Sequence, residues 1–316
     1  MIDHAEETIG VLVMSYGTPE SLDQIEAYYT HIRRGRPPSP EQLQELTHRY
    51  KSIVGGVFPL RENTNKQVAA LEEALKKSPS PFKFSCYQGL RHASPFIEDG
   101  VQQMAADGIK RAVGIVLTPH YSSMSVGAYI ERAKKAAEEN GIRMDFVESY
   151  HLHPQFIEAL VERVRNTLQQ FDEHVRNDVK VLFTAHSLPE KILEMNDPYV
   201  DQLHQSSQAV ADRAEVSNWQ FAWQSAGQTP MPWLGPDIAD VLRDLAKDGV
   251  KHVLVCPIGF VSDHLEVLYD IDIECQQVAK EVGIELKRTP SLNTDAKYIQ
   301  TLADCILEKL YNSQSN

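Results

Sequence analysis

Short apolar runs alternate with longer amphipathic segments along the whole chain. In the first half the runs are Ile9–Met14, Phe82–Tyr87, Ala112–Leu117 and Met144–Glu148. In the second half they are Val179–Phe183, Trp219–Trp223, His252–Cys256 and Ile284–Lys287. Helical periodicity fills the gaps, for example over Asn63–Lys77, Pro95–Ala106, Val126–Asn140, Pro236–Lys247 and Leu265–Glu281. Strands alternating with helices predict an α/β chain whose sheets are parallel and built from βαβ units.

The two halves resemble each other. Val11-Leu12-Val13-Met14-Ser15-Tyr16-Gly17-Thr18-Pro19-Glu20 parallels Val181-Leu182-Phe183-Thr184-Ala185-His186-Ser187-Leu188-Pro189-Glu190. Asp107-Gly108-Ile109-Lys110 and Asp248-Gly249-Val250-Lys251 each precede an apolar strand. Their common order predicts a duplication: two similar Rossmann-like domains, each a four-stranded parallel sheet flanked by helices. The seam is expected in the charged stretch Phe171–Asp178, giving domains 1–172 and 173–316, with the terminal helix Asp295–Tyr311 packing back onto the first. Open α/β sheets bind ligands at the carboxyl ends of their strands. Tyr16 and His186 occupy equivalent strand ends, so a site in a cleft between the domains would draw on both. No G-x-G-x-x-G, P-loop or G-x-S-x-G follows a strand, so no nucleotide cofactor or serine-hydrolase elbow is indicated.

The run Ser262-Asp263-His264-Leu265-Glu266-Val267-Leu268-Tyr269-Asp270-Ile271-Asp272-Ile273-Glu274 holds the densest chemistry. On a helix, Asp263, Glu266, Asp270 and Glu274 would share one stripe. Like charges at that spacing repel unless something positive lies against them. A hydrated divalent cation suits hard carboxylate oxygens. Compensation of the helix dipole accounts for Asp263 and Glu266 equally well, and a solvated face for Asp270 and Glu274. His264, two residues before Glu266, falls on another helix face and is left out of the ligand set. His186 can accept a proton near neutral pH or ligate a metal; a histidine bonded only to backbone is the plain alternative.

Arg33, Arg34 and Arg36 cluster in one short loop, and Arg49 and Tyr50 end the helix-like run after it. Guanidinium groups match carboxylates and phosphates, so these residues form a candidate anion site, with a solvated loop as the alternative. Gly55-Gly56-Val57-Phe58 is a flexible apolar turn, and the Trp-, Gly- and Pro-rich run Trp223–Asp237, with Trp233, suggests a rigid wall beside a planar ligand.

Composition narrows the classes. With 316 residues, 42% of them apolar, the chain can bury two cores. A formal charge of −13 argues against nucleic acid as a partner. The acidic N-terminus lacks the features of a secretory signal, and no apolar run approaches the ~20 residues of a membrane span. Cys86, Cys256, Cys275 and Cys305 are scattered, which disfavours a zinc or iron–sulfur site and predicts buried free thiols. A cytoplasmic monomer is expected.

Across essentially its whole length the chain resembles the ferrochelatases, in particular the soluble bacterial branch acting on coproporphyrin III. The segments that carry the resemblance are Ser15–Pro19, Tyr28–Arg36, Thr184–Lys191, Trp223–Pro236 and Gly259–Asp270. The resemblance implies insertion of Fe²⁺, a substrate rather than a prosthetic group, into a porphyrin. It casts His186 and Glu266 as the catalytic and metal-handling pair, and Asp270 and Glu274 as an acidic relay able to hold a divalent cation. Tyr16 becomes an axial oxygen ligand on the opposite porphyrin face. Arg33, Arg34, Arg49, Tyr50, Tyr129, Arg91, His92 and Trp233 become porphyrin contacts, Arg91 standing where the family has lysine. A haem acceptor or a downstream decarboxylase would be a transient partner. Two departures stand out: Asn196 replaces a glycine before Asp197-Pro198-Tyr199, and Val54 is an insertion that leaves Phe58 in place of a substrate-contacting serine. A non-catalytic haem or metal binder, a chelatase for another metal such as cobalt, and a Mg²⁺- or Mn²⁺-dependent hydrolase are the competing readings.

Overall fold

The computed structural model of the protein describes residues 7–53, 58–227 and 229–313. The Val54 insertion and the Gly55-Gly56-Val57 part of the apolar turn lie outside the described residues, as does Gln228 of the Trp-rich run.

Two parallel sheets organise the chain. Strands β1 (Thr8–Ser15), β2 (Lys83–Leu90), β3 (Arg111–Val116) and β4 (Arg143–Val147) pair in the order β2-β1-β3-β4. Strands β5 (Lys180–His186), β6 (Trp219–Gln224), β7 (His252–Cys256) and β8 (Glu285–Arg288) pair in the order β6-β5-β7-β8. Both orders are the same permutation, as a duplication requires. The inner strands are apolar because helices cover them: Val11, Leu12, Val13, Val181, Leu182 and Phe183 are fully buried.

Helices Ile97–Ala106 and Ala128–Glu139 bury Val101, Met104 and Ala133 against Leu12 and Met14 of the first sheet. In the second, helix Ile238–Lys247 turns Ile238, Val241, Leu242 and Leu245 toward Leu182, Val253 and Val255. That spacing is one face of a 3.6-residue repeat. The repeated Asp-Gly pairs close equivalent helices in the same way. Gly108 N–H donates to the Ala105 carbonyl at 3.1 Å and Ile109 N–H to Met104 at 3.0 Å; Gly249 donates to Ala246 at 3.1 Å and Val250 to Leu245 at 2.9 Å. Both glycines have positive φ, +80° and +86°, the left-handed geometry of a helix C-terminal stop.

The chain separates into two compact units, but not at 172/173. One unit takes the described residues of 1–48, 57–150 and 293–316; the other takes those of 49–56 and 151–292. The boundary falls earlier because helix Pro154–Leu168 packs on helix Tyr199–Ala214 and on β7. The terminal helix Ala296–Asn312 packs on helix Pro59–Lys76 and on β3 and β4. Tyr298 Oη donates to the Leu117 carbonyl at 2.8 Å, and Arg111 Nη2 to Leu310 at 3.1 Å.

Asn196 has φ +51°, so asparagine occupies the left-handed position there, as its short polar side chain allows. The four cysteines are free, three of them buried. Among the described residues no helix is long and apolar enough to cross a membrane.

Because nothing lies within 4 Å of a β-carbon placed on Gly249, its requirement is conformational rather than steric. Gly249→Ala is expected to lower stability by about 1–2 kcal/mol through the left-handed backbone alone, with Gly249→Asn losing less. Urea midpoints at unchanged slope would check this; an unaffected midpoint in the alanine variant would refute it.

Candidate functional site

In the second unit the strand order reverses between β5 and β7, and crevices of open parallel sheets form at such switch points. His186 ends β5. Gly259 closes the chain leaving β7 onto that end: its N–H donates to the Thr184 carbonyl at 3.1 Å, and a β-carbon on it would sit 2.4 Å from Ala185 Cβ. The following residues are thereby brought beside His186. The His186 Nδ1–H donates to the Ser187 carbonyl, which leaves Nε2 facing Glu266 Oε1 at 3.5 Å. Tyr199 Oη donates to the His186 carbonyl at 3.0 Å. Gln224, at the end of β6, donates from Nε2 to the Glu266 carbonyl at 2.9 Å and accepts from Thr184 Oγ1 at 2.8 Å. Both functional side chains remain about a third exposed, 32% and 33%.

The acidic run is not one continuous helix. Leu265–Leu268 is a single helical turn, Asp270–Cys275 is π-helical, and Gln276–Val282 is α-helical. The Tyr269 carbonyl accepts from both Ile273 N–H (3.1 Å) and Glu274 N–H (2.9 Å). Ile271 and Cys275 are buried, anchoring the wide turn, while Asp270 is buried toward the crevice side chains it contacts. Such insertions gather at functional sites.

Asp263 leaves the expected stripe because it precedes the helix; it accepts from Ser291 Oγ at 2.8 Å. His264 joins the site for the same reason. Its backbone is extended (φ −158°), so the helical-face argument that set it aside does not apply, and its Nε2 lies 3.4 Å from Glu266 Oε2.

Positive charge against the ladder comes from protein. Arg49 donates to Asp270, lies 3.6 Å from Glu274 Oε2, and stacks 4.5 Å from the Tyr269 ring centre. Ser225 Oγ also donates to Asp270. Among the described residues no three or more His, Cys, Asp and Glu side chains are arranged to hold a metal ion. Arg49, expected to meet an anionic ligand, is engaged with these carboxylates in this structure, and its neighbour Tyr50 is buried.

Proton affinities follow the geometry. Burial depresses the His186 imidazole, but the Glu266 carboxylate more than offsets it and raises the pKa to about 9. Burial would raise Glu266, yet His186 and then His264 hold it well below the usual carboxylate range. Asp270 is lifted by burial to about 6, against the pull of Arg49 and Ser225. At neutral pH the centre is therefore an imidazolium–carboxylate pair.

Trp233 forms a wall beside it, its ring centre 6.4 Å from that of His186. The indole N–H donates to Thr229 Oγ1 at 2.9 Å, and Gly227 makes room for the ring, since a β-carbon there would lie 2.4 Å from it.

In the first unit a second group assembles at the ends of β1 and β2. Arg91 N–H donates to the Ser15 carbonyl and His92 N–H to that of Tyr16, at 2.9 and 3.0 Å. The Tyr16 and His92 rings lie 4.6 Å apart, and Tyr16 is 40% exposed. The Arg91 guanidinium sits 5.2 Å from the buried Tyr129 ring. His92 Nδ1 is 3.0 Å from His31 Nδ1. Burial, reinforced by Arg91, pushes the His92 pKa down to about 3, so this imidazole stays neutral. The arginine cluster splits: Arg33 Nε donates to the Arg36 carbonyl at 3.2 Å and its guanidinium lies 5.5 Å from the Tyr29 ring. The exposed Arg34, at φ +56°, instead borders a surface depression with Asp23 and Glu26.

Tyr199, Gln224, Ser225 and His264 lie in segments singled out above from the sequence, with no role in the site assigned to any of them. The one available signal is positional, since Gln224 and Ser225 stand where β6 ends.

A protein-family model described as Ferrochelatase matches residues 8–310. The coproporphyrin III ferrochelatase of Bacillus subtilis is 46% identical over 308 residues, 97% of this chain and 99% of that protein. That of Oceanobacillus iheyensis is 46% identical over 305 residues, 96% and 97% respectively. Among solved structures, the sirohydrochlorin chelatase SirB from Bacillus subtilis subspecies spizizenii, in complex with cobalt, superposes with a TM-score of 0.59 at 12% identity, covering 98% of both chains. At that identity the likeness is one of fold.

His186 is expected to titrate near 9 by NMR in the metal-free protein, and below 6.5 in Glu266→Gln, where burial acts without the carboxylate. The folded value lies above the unfolded 6.5, so the pair's stabilisation is complete below 6.5 and fades as pH rises through 9. A midpoint near 6.5 in both proteins would sink the ion-pair assignment.

Proposed function

The chain belongs to the ferrochelatase family, and from that premise we propose that it inserts Fe²⁺ into coproporphyrin III, releasing two protons, in haem biosynthesis. The observation that carries this reading is the near-full-length identity to relatives named for that activity, joined to an imidazole–carboxylate pair at a sheet switch point.

Insertion removes two pyrrole protons and exchanges iron-bound water for ring nitrogens. A flat macrocycle keeps its nitrogen lone pairs in plane, so the substrate has to be held bent, with binding energy from its periphery sustaining the strain. Carboxylate-bearing side chains of the porphyrin give Arg33, Arg34 and Arg91 that peripheral role. Tyr16, Tyr129 and the neutral His92 offer ring contacts without placing a positive charge in the way of a cation, and Trp233 offers a flat wall beside His186. His186 begins protonated, so Nε2 can take a pyrrole proton or touch iron only after losing its own. Arriving iron favours that loss, as metal binding at an imidazole displaces a proton. Glu266 holds the imidazole toward the reacting centre, and hard carboxylates keep Fe²⁺ loosely enough to pass it on. Asp270, titrating near 6, can carry protons away or meet iron once Arg49 lets go. A cation held at Asp270 and Glu274 would compete with that guanidinium. The reaction needs no prosthetic group. In this reading the enzyme works as a cytoplasmic monomer and passes its product to a decarboxylase or haem acceptor.

Anaerobic incubation with Fe²⁺ and coproporphyrin III, followed in the Soret band, should give many turnovers per protein and faster ones than with protoporphyrin IX. A shift that stops at one equivalent would instead mark a haem-binding protein. His186→Ala should slow insertion roughly 10²–10⁴-fold, the span typical of a lost acid–base group, while porphyrin affinity measured by fluorescence stays near wild type. The rate at limiting iron should also climb with pH toward about 9 as His186 loses its proton. Glu266→Gln should move that limb to lower pH, and a limb unmoved by the substitution would take His186 out of the proton inventory.

A further inference from the structure

Arg288 ends β8 with its guanidinium only 13% exposed. Its Nε donates to Asp272 Oδ1 at 2.6 Å and its Nη2 to Asp272 Oδ2 at 2.7 Å, a two-pronged grip on the π-helical turn. Its Nη1 donates to the Thr289 carbonyl at 2.9 Å and lies 3.6 Å from Asp263 Oδ1. Asp263 is held from the same side by Ser291 Oγ at 2.8 Å. One side chain therefore reaches both ends of the segment 263–272. Inside that span lie His264, Glu266 and Asp270, and outside it lies none of the other carboxylates that meet His186.

The span cannot hold itself in place. Its α-helical part is four residues long, too short to be stable through its own hydrogen bonds. The next turn shares one carbonyl between two donors. The carboxylates that act on His186 are Glu266 and Asp270, while Asp263 and Asp272 are turned to Arg288. A partly buried ion pair adds little net stability; what it does supply is geometry. We propose that Arg288 is a positioning residue for iron handling, tying Asp263 to Asp272 so that Glu266 and Asp270 stay in register with His186. This rests on the reading of the site as an iron-inserting centre.

The test uses the full-length protein and three variants, Arg288→Met, Arg288→Lys and Asp272→Asn. Hydrogen exchange should quicken in peptides covering Leu265–Cys275 and remain as in wild type over β5 and β6. The KM for Fe²⁺ should rise about tenfold, the low end for loss of a group that orients metal ligands, while the KM for porphyrin moves less than about twofold. Arg288→Lys should fail to restore the iron KM, because an ammonium cannot span both Asp272 oxygens and Asp263. Should Arg288→Met fail to fold, Asp272→Asn, which keeps the side-chain volume, carries the same comparison. Unchanged exchange, an unchanged iron KM, or a porphyrin KM that rises as far as the iron KM overturns the proposal. If the wild type inserts no iron, the functional reading fails by itself and the exchange measurement alone decides whether the clamp exists.

Discussion

Everything chemical in the second unit depends on one electrostatic contact, the His186 imidazole against the Glu266 carboxylate at 3.5 Å. Each group would be unstable in its charged form without the other, since burial opposes both charges. Together they keep the proton on His186 and the negative charge on Glu266 at neutral pH. That arrangement resists stray protonation of Glu266 but delays use of His186 until something positive arrives. A positive charge brought close to the pair would oppose the imidazole proton while attracting the carboxylate. In the metal-free protein, therefore, the imidazole holds its proton and the carboxylate its charge.

The contact exists because three strand ends and one loop are cross-braced. Gln224 binds the Glu266 backbone and the Thr184 hydroxyl, Tyr199 binds the His186 carbonyl, and Gly259 lets the chain after β7 lie against Ala185. Two guanidiniums face the carboxylates beyond Glu266, Arg49 against Asp270 and Glu274 and Arg288 against Asp272. These guanidinium contacts relieve part of the repulsion along the line of acids. They also make the ladder responsive, because each guanidinium contact can be exchanged for a cation at modest electrostatic cost.

Strand positions were legible because period and apolarity both derive from burial, and all eight predicted runs overlap observed strands. The duplication was legible through Asp107-Gly108 and Asp248-Gly249, whose glycines take a conformation that few residues tolerate. The domain seam was not. Whether helix Pro154–Leu168 joins the earlier or later sheet depends on which surface its apolar face meets, and that face reads the same in either case. Likewise the helical template put Asp263 in the stripe and His264 out of it. The helix starts at Leu265, where the periodicity put it, and the stripe was drawn one turn too far; the widening at Asp270 was not read from the sequence. Of the candidate site, His186, Glu266, Asp270 and Trp233 lie in one unit, and the contacts of Arg49 with Asp270 and Glu274 were not legible because those partners are more than two hundred residues away.

Equivalent strand ends in the two units carry opposite electrostatics. Tyr16 occupies the position in the first unit that His186 occupies in the second. Its partner His92 is kept neutral by burial and by the adjacent guanidinium, whereas His186 is kept charged by a carboxylate. Both units widen the helix after the third strand into a π turn, Ser123–Gly127 in one and Asp270–Cys275 in the other. Only the second turn bears acids. The scaffold therefore sets where side chains emerge, and the charges placed at those points set what each can handle. One sheet topology used twice thus presents a neutral imidazole at one set of strand ends and a charged imidazole–carboxylate pair at the other.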